Sequence, residues 1–196
     1  MKLLYSPMSP FARKVRVCAH ELGIALPVAF VDPWTDEALR GANPLAKVPA
    51  LVLADGAPLY DSRVICQYLD HLGGGGLYPA PGAALWRALR LEALADGICD
   101  AAVRRRMETI RQDVRHDDVI VRQALAMTAG LDALEAEAAA GLTGFGIGEI
   151  AAACAVGYLD LRFPDDRWRD GRPALAAWSE TAAARPSMAA TVVSPA

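Results

Sequence analysis

An α/β domain followed by an all-helical domain is the architecture the sequence predicts, and three observations predict it. Residues 2–72 read as β-α-β-α-β-β-α. Four consecutive glycines, Gly73-Gly74-Gly75-Gly76, then break the pattern. After that break the two-residue alternation of strands disappears and only helical periodicity remains. The segment 1–76 is therefore expected to be one domain and 84–196 a second, with 77–83 as linker.

Taken in order, Lys2 to Tyr5 forms a short strand. Ser6-Pro7-Met8-Ser9-Pro10 is a loop whose end suits a helix start, with Ser9 at the N-cap and Pro10 at the first helical position. Phe11, Val15, Cys18, Ala19 and Leu22 fall at helical spacing with Arg13, Lys14, Arg16 and His20 largely elsewhere, and Gly23 ends the helix. Val28 to Val31 is a second strand, parallel to the first because a right-handed crossover joins them. Asp32 to Gly41 holds a loop and one or two helical turns. Ala50–Leu53 and Pro58–Tyr60 flank Ala54-Asp55-Gly56-Ala57 as a hairpin, which makes the sheet mixed. Ser62 to Leu72 is a helix with Ile65, Tyr68, Leu69 and Leu72 in phase.

Beyond the linker, residues 84–112, 117–140, 147–163 and 173–184 are helices. The first points Leu85, Leu89, Leu94 and Ile98 inward, and the third carries Ile150, Cys154, Gly157 and Leu161 on one face. The tail from Arg185 has no strong period.

Composition narrows the function classes. The 196 residues are 54% hydrophobic and 22% charged, enough apolar material for real cores. A formal net charge of −3 supplies no electrostatic reason for a nucleic-acid partner. Cys18, Cys66, Cys99 and Cys154 lie far apart without a Cys-x-x-Cys pair, so neither a zinc framework nor a disulfide scaffold is expected. His20, His71 and His116 have no metal-ligand spacing, and no metal is expected. No window has the length of a membrane span, and the N-terminus is too short an apolar run for a signal peptide. A reduced cytoplasmic protein is the expectation.

Three places carry candidate chemistry. Ser9 follows the first strand at a helix start, where N–H groups and the helix dipole favour an anion. A hydroxyl there can also hold a thiolate, whose thiol has an unperturbed pKa of about 8.5. Taken alone, Ser9 reads more simply as a helix cap. Val48-Pro49 enters the third strand, where a proline can only sit at the start or edge. A cis bond there would aim the Val48 backbone groups at a ligand. Asp61-Ser62 opens the helix after the fourth strand and offers a carboxylate, a hydroxyl and free N–H groups. That set suits a ligand carrying both an amine and a carboxylate. In this topology the three places converge on one edge of the sheet.

The chain resembles the bacterial soluble glutathione S-transferases. The resemblance rests on Ser6-Pro7-Met8-Ser9-Pro10-Phe11-Ala12-Arg13-Lys14-Val15-Arg16, Asn43-Pro44-Leu45-Ala46-Lys47-Val48-Pro49-Ala50-Leu51, Tyr60-Asp61-Ser62-Arg63-Val64-Ile65 and Arg185-Pro186-Ser187-Met188. It implies a thioredoxin-like N-terminal domain, a helical C-terminal domain and glutathione as co-substrate. It implies that Ser9 activates the thiol, that a cis-Pro49 presents the Val48 backbone to the cysteinyl portion, and that Lys47 lies close to the tripeptide. Asp61 and Ser62 take the γ-glutamyl amine and carboxylate, and Met8 and Met107 are wall candidates for a hydrophobic electrophile. The resemblance implies a homodimer.

Two positions depart from the family pattern. Asp61 stands where Glu or Gln is usual before the serine, and Gly146 stands where a Ser or Thr cap is usual. Glu149 can still reach back to that helix start, and loss of the cap to Gly costs only a few tenths of a kcal/mol, on the order of 0.3. Arg104-Arg105-Arg106 reads as a solvated, salt-bridged face, and Trp34, Trp86, Trp168 and Trp178 as core or interface residues. Transfer of the thiolate to an electrophile is the leading expectation. A glutathione-dependent disulfide or peroxide reductase ranks lower because the active loop has no cysteine, and a non-catalytic binding or regulatory module is the third reading.

Overall fold

The structure, a computed structural model, describes residues 1–192; the last four residues of the expected helical domain lie outside the described residues. It divides into two compact units, one of Met1–Gly82 together with the chain from Pro186, the other of Ala83–Arg185.

The first unit is a four-stranded mixed sheet in the order β2-β1-β3-β4. Its strands are β1 (Lys2–Tyr5), β2 (Val28–Phe30), β3 (Ala50–Val52) and β4 (Pro58–Leu59). β1 and β2 run parallel, joined by α1 (Pro10–Glu21), while β3 runs antiparallel to both β1 and β4. Side chains alternate across a strand, so Leu4 and Ala50 share one face of the sheet. There they pack with Val31 and with Leu39 and Ala42 of α2 (Glu37–Ala42), and Val48 packs half-buried against the same cluster. α1 packs on α3 (Ser62–Leu72), and Leu3, Val15, Cys18, Leu51, Ile65, Cys66 and Leu69 are buried.

The helix starts and stops follow local chemistry. Ser9 caps α1 with Pro10 in its first turn, and Asp61 caps α3. After α3 the nearly buried Asp70 holds the glycine turn: its carbonyl accepts from the Gly75 N–H at 2.7 Å and its carboxylate from the Leu77 N–H at 2.8 Å.

Two expectations about this unit need correction. Lys14 is fully buried rather than outward, and it retains an interaction partner, as a buried ammonium must. α1 carries buried residues on more than one side, so its apolar stripe is wider than the spacing of Phe11, Val15 and Leu22 suggests. The second correction concerns the tail. Pro186–Ala189 forms a short helix, here α8, and packs on α1. The Arg13 guanidinium donates to the Met188 carbonyl at 3.2 Å and to the Thr191 hydroxyl at 3.4 Å, and the Ser187 hydroxyl donates to the Glu21 carboxylate. Those polar anchors group residues 186–192 with the first unit, whereas sequence order places them with the helical domain.

The second unit contains α4 (Ala83–Thr109), α5 (Asp117–Ala139), α6 (Ile147–Arg162), a short 3-10 turn at Pro164–Asp166 and α7 (Pro173–Ala183). α6 is buried nearly all round, including Ile147, Ile150, the run from Ala151 to Val156, and Leu159. A helix with no polar face belongs in a core. Gly148 permits its close approach to α4: a Cβ there would lie 3.1 Å from the Ala88 carbonyl and 2.9 Å from a Leu91 methyl. Glu149 accepts a hydrogen bond from the Gly146 N–H at 3.1 Å, which keeps half of a capping box after the loss of the side-chain cap.

Of the four residues expected inward on α4, Ile98 is buried while Leu85, Leu89 and Leu94 are half-buried; the fully buried stripe runs through Leu91, Ala95, Ile98 and Ala102, because α4 packs against both α5 and α6. Arg105 pairs in two-pronged fashion with Asp166 and lies 4.5 Å over the Phe163 ring, a salt-bridged role. Trp168 is buried and Trp178 half-buried, but Trp34 is 73% exposed and Trp86 69% exposed, so neither of the latter belongs to a core of the chain. Among the described residues no helix is long and apolar enough to cross a membrane.

Candidate functional site

Strand register brings the three candidate segments to one end of the sheet. Leu4 pairs with Ala50, so the entry to β3 lies beside the end of β1. Leu51 pairs with Leu59, so the exit from β4 lies beside the entry to β3. The Ser6–Ser9 loop, the Lys47-Val48-Pro49 entry and the Tyr60-Asp61-Ser62 exit therefore share that edge. Sequence topology anticipates this convergence, and the register supplies the geometry.

Ser9 is half-buried and has two roles open to it. Its N–H donates to the Ser6 carbonyl at 3.0 Å, which closes the Ser6–Ser9 turn and aims the helix. Its hydroxyl oxygen accepts from the Ala12 N–H at 3.1 Å. Accepting that bond leaves the hydroxyl hydrogen free to donate, because a hydroxyl carries one donor and two acceptor sites. The Arg13 N–H is used by the Ser9 carbonyl at 3.0 Å, and Pro10 has no N–H. Capping thus leaves the Phe11 N–H as the other donor of that first turn. A hydroxyl hydrogen, one backbone N–H and the positive end of a twelve-residue helix suit an anion.

The Val48-Pro49 peptide bond is cis. Val48 takes no part in the turn, cap and loop hydrogen bonds of the described residues, so its backbone groups stay available while its side chain packs on the α2 face. The loop before it is shaped by Asn43, whose role local spacing does not reveal. Asn43 is 2% exposed. Its Oδ1 accepts from the Leu45 N–H at 3.0 Å and its Nδ2 donates to the Lys47 carbonyl at 2.8 Å, while its own carbonyl accepts from the Ala46 N–H at 2.8 Å. Asn-Pro is a turn signal for this reason: the amide side chain bonds to the backbone two residues on. The Lys47 side chain is exposed at the same edge.

Ala46 closes this turn with φ of 51°. The left-handed region costs an L-residue roughly 1–2 kcal/mol, and glycine avoids that cost but loses about 0.5–1 kcal/mol in chain entropy. Ala46→Gly is therefore expected to leave stability unchanged or raise it by up to about 1 kcal/mol, a Tm gain of at most roughly 4 °C for a chain this size. A thermal melt checks it, and a clear fall in Tm would contradict the reading of this turn.

Asp61 and Ser62 divide their work. The Tyr60-Asp61 bond is cis, and Asp61 Oδ1 accepts from the Arg63 N–H at 3.0 Å as the N-cap of α3. One carboxylate oxygen is therefore committed to the helix, and Oδ2 is left for a ligand on an exposed side chain. Ser62 is buried at the first helical position, where its N–H has no intrahelical acceptor, and its hydroxyl has no hydrogen-bond partner among the described residues. Met8 is half-buried in the Ser9 loop, and Met107 is 41% exposed near the end of α4, in the other unit. Among the described residues no group of His, Cys, Asp and Glu is arranged to hold a metal ion.

Residues 8–72 match the model of the glutathione S-transferase N-terminal domain, and residues 100–181 that of the glutathione S-transferase C-terminal domain. The chain is 34% identical to the uncharacterized GST-like protein YibF of Escherichia coli K12, over 97% of this chain and 98% of that one. Among solved structures it is similar to a glutathione transferase family member from Pseudomonas fluorescens Pf-5 with bound glutathione. There the identity is 43%, the TM-score 0.90, and the match covers 99% of both chains. A glutathione S-transferase from Methylobacillus flagellatus KT with glutathione bound is 38% identical, with a TM-score of 0.92 over 98% of this chain and 99% of that one.

Proposed function

Because the chain belongs to the glutathione S-transferase family, and its relatives include structures holding glutathione, we propose that it binds glutathione at this sheet edge and transfers the thiolate to a hydrophobic electrophile. The observation that carries the reading is the meeting of three complementary segments at one edge: a helix-start hydroxyl, an unpaired strand-entry backbone and an acid-serine helix start. In this reading Ser62 and its N–H take the γ-glutamyl carboxylate. Asp61 Oδ2 takes the amine, and Val48 pairs with the cysteinyl backbone as an added strand would. Lys47 lies beside the tripeptide and adds positive charge.

The sulfur then falls to Ser9. Its free hydroxyl hydrogen donates to the thiolate, assisted by the Phe11 N–H and the α1 dipole. The thiol proton leaves to solvent. The sulfur lone pair forms the new S–C bond; in a substitution the leaving group departs with the electrons of the bond that breaks, and in addition to an activated alkene the displaced π-pair moves onto the activating group and the α-carbon takes a proton from solvent. Catalysis on this scheme is positioning plus a lowered thiol pKa. Met8, in the Ser9 loop, is proposed as an apolar contact for the electrophile. All four cysteines are buried and none is in a disulfide, which fits the proposed cytoplasmic setting, and the family resemblance supports a homodimer.

Titration of the protein with glutathione in a calorimeter, followed by a conjugation assay across aryl halides, epoxides and activated alkenes, tests the proposal. The expected result is saturable binding and a thioether product with at least one electrophile class. Absence of glutathione binding would overturn the reading altogether. Binding without any conjugate would leave the glutathione site and remove the transferase step.

A further inference from the structure

We propose that Asn43 is a positioning residue that sets the direction of the Val48 N–H, and so decides how firmly the cysteinyl portion of glutathione is held. The inference rests on the glutathione-binding reading above and assigns a specific role within it.

The Lys47-Val48 peptide bond is trans, since the cis bonds are Val48-Pro49 and Tyr60-Asp61. In a planar trans peptide the C=O and the following N–H point in opposite directions. Asn43 Nδ2 grips the Lys47 carbonyl at 2.8 Å. The Val48 N–H must then point away from Asn43. Rotation of that peptide plane would break the Asn43 bond, so the N–H is held in one direction before any ligand arrives.

The grip itself is rigid. Asn43 is 2% exposed, follows α2 directly, and donates its own N–H to the Leu39 carbonyl at 2.7 Å. Its Oδ1 is occupied by the Leu45 N–H at 3.0 Å, which fixes the amide orientation so that Nδ2 faces Lys47. Ala46 N–H on the Asn43 carbonyl closes the turn from the other side. Four polar contacts thus converge on one buried side chain and its backbone, and the group they orient is the peptide that enters β3 at the site. A buried amide in this position is satisfied without any ligand. Its effect on ligand binding is indirect, through preorganisation of a donor it does not itself supply.

The test is Asn43→Asp, which preserves shape and the acceptor for Leu45 but replaces the Nδ2 donor by an oxygen facing the Lys47 carbonyl. Glutathione affinity is expected to fall about tenfold or more, as for loss of one oriented hydrogen bond. Turnover at saturating glutathione and the pH profile of kcat are expected to change less than about twofold, because Ser9 is on another segment. A glutathione analogue with the cysteinyl carbonyl reduced to methylene cannot accept from Val48, and it is expected to bind the wild type and Asn43→Asp within about twofold of one another. Equal losses for glutathione and the reduced analogue, or a kcat loss as large as the affinity loss, would overturn the proposal. Should Asn43→Asp fail to fold, Asn43→Ser, which is too short to reach the Lys47 carbonyl, carries the same comparison. Wild-type glutathione binding is measured alongside; its absence would overturn the glutathione reading itself rather than the role of Asn43.

Discussion

Replacing Ser9 by Ala is expected to lower turnover about 10- to 100-fold while leaving glutathione affinity within a few-fold, because a hydrogen bond to a charged group contributes about 1.5–3 kcal/mol. The same loss raises the bound thiol's pKa by about 1–2 units toward its free value near 8.5. The sign determines the pH dependence. Below both pKa values the variant holds less thiolate, by the full shift, so the deficit is greatest at low pH. It shrinks as pH rises through the variant's pKa, where the thiolate forms without help.

A complication is visible in the structure: the Ser9 oxygen also caps α1 through the Ala12 N–H. The alanine variant therefore loses about 1 kcal/mol of stability as well. Ser9→Asp separates the two roles. It keeps an acceptor for Ala12 and suits the helix dipole, but it has no hydrogen to give a thiolate and adds a like charge. Stability is expected to return and turnover is not. Ser9→Thr, which keeps both the cap and the donor, is expected to retain most activity. Ultraviolet absorbance of the bound thiolate against pH, with denaturation curves for each variant, reads all three. If Ser9→Ala keeps its turnover and its pH profile, the Phe11 N–H and the helix dipole hold the thiolate and Ser9 is only a cap.

Ser62→Ala is expected to produce the opposite division. Its hydroxyl is assigned to the γ-glutamyl carboxylate, a charge-assisted bond, so glutathione affinity should fall about 10- to 100-fold. Saturated turnover should change little, because the reacting sulfur is at the other end of the segment trio. Stability should also change little. Asp61 rather than Ser62 caps α3, and the Ser62 hydroxyl makes no hydrogen bond among the described residues. Calorimetric affinity, kcat at saturation and a urea melt together make the comparison. Unchanged affinity would remove Ser62 from the carboxylate site. The opposed signatures, kcat for Ser9 and affinity for Ser62, distinguish thiol activation from substrate anchoring.

Asp61 explains why a residue type alone does not define a contact. At sequence level its short side chain in place of Glu or Gln suggests less reach. The structure adds that one of its oxygens is bound to the Arg63 N–H. A helix cap and a ligand contact thus draw on the same carboxylate, and only Oδ2 remains for an amine.

Much of this protein was readable from residues alone, because the forces involved are local. Ser9-Pro10 and Asp61-Ser62 announce helix starts through side-chain oxygens that reach N–H groups two or three residues on. The glycine run marks the break, and the apolar periods place α5, α6 and α7 to within a residue or two. Long-range effects were not readable in that way. Lys14 is buried, α4 turns a shifted face to two partners, Trp34 and Trp86 are exposed, and residues from Pro186 join the first unit through Arg13 and Glu21. Each depends on which distant side chain lies opposite, and helical spacing carries no such information. The site divides on the same line. Ser9, Val48 and Ser62 come from local signals and their convergence on one sheet edge from the element order, whereas the register that sets the geometry there, Leu4 with Ala50 and Leu51 with Leu59, comes from the tertiary structure. Asn43 lies between the two. Its turn was written in Asn-Pro, but its bond to the Lys47 carbonyl, which orients the Val48 N–H, exists only once the loop has closed and β3 has paired with β1.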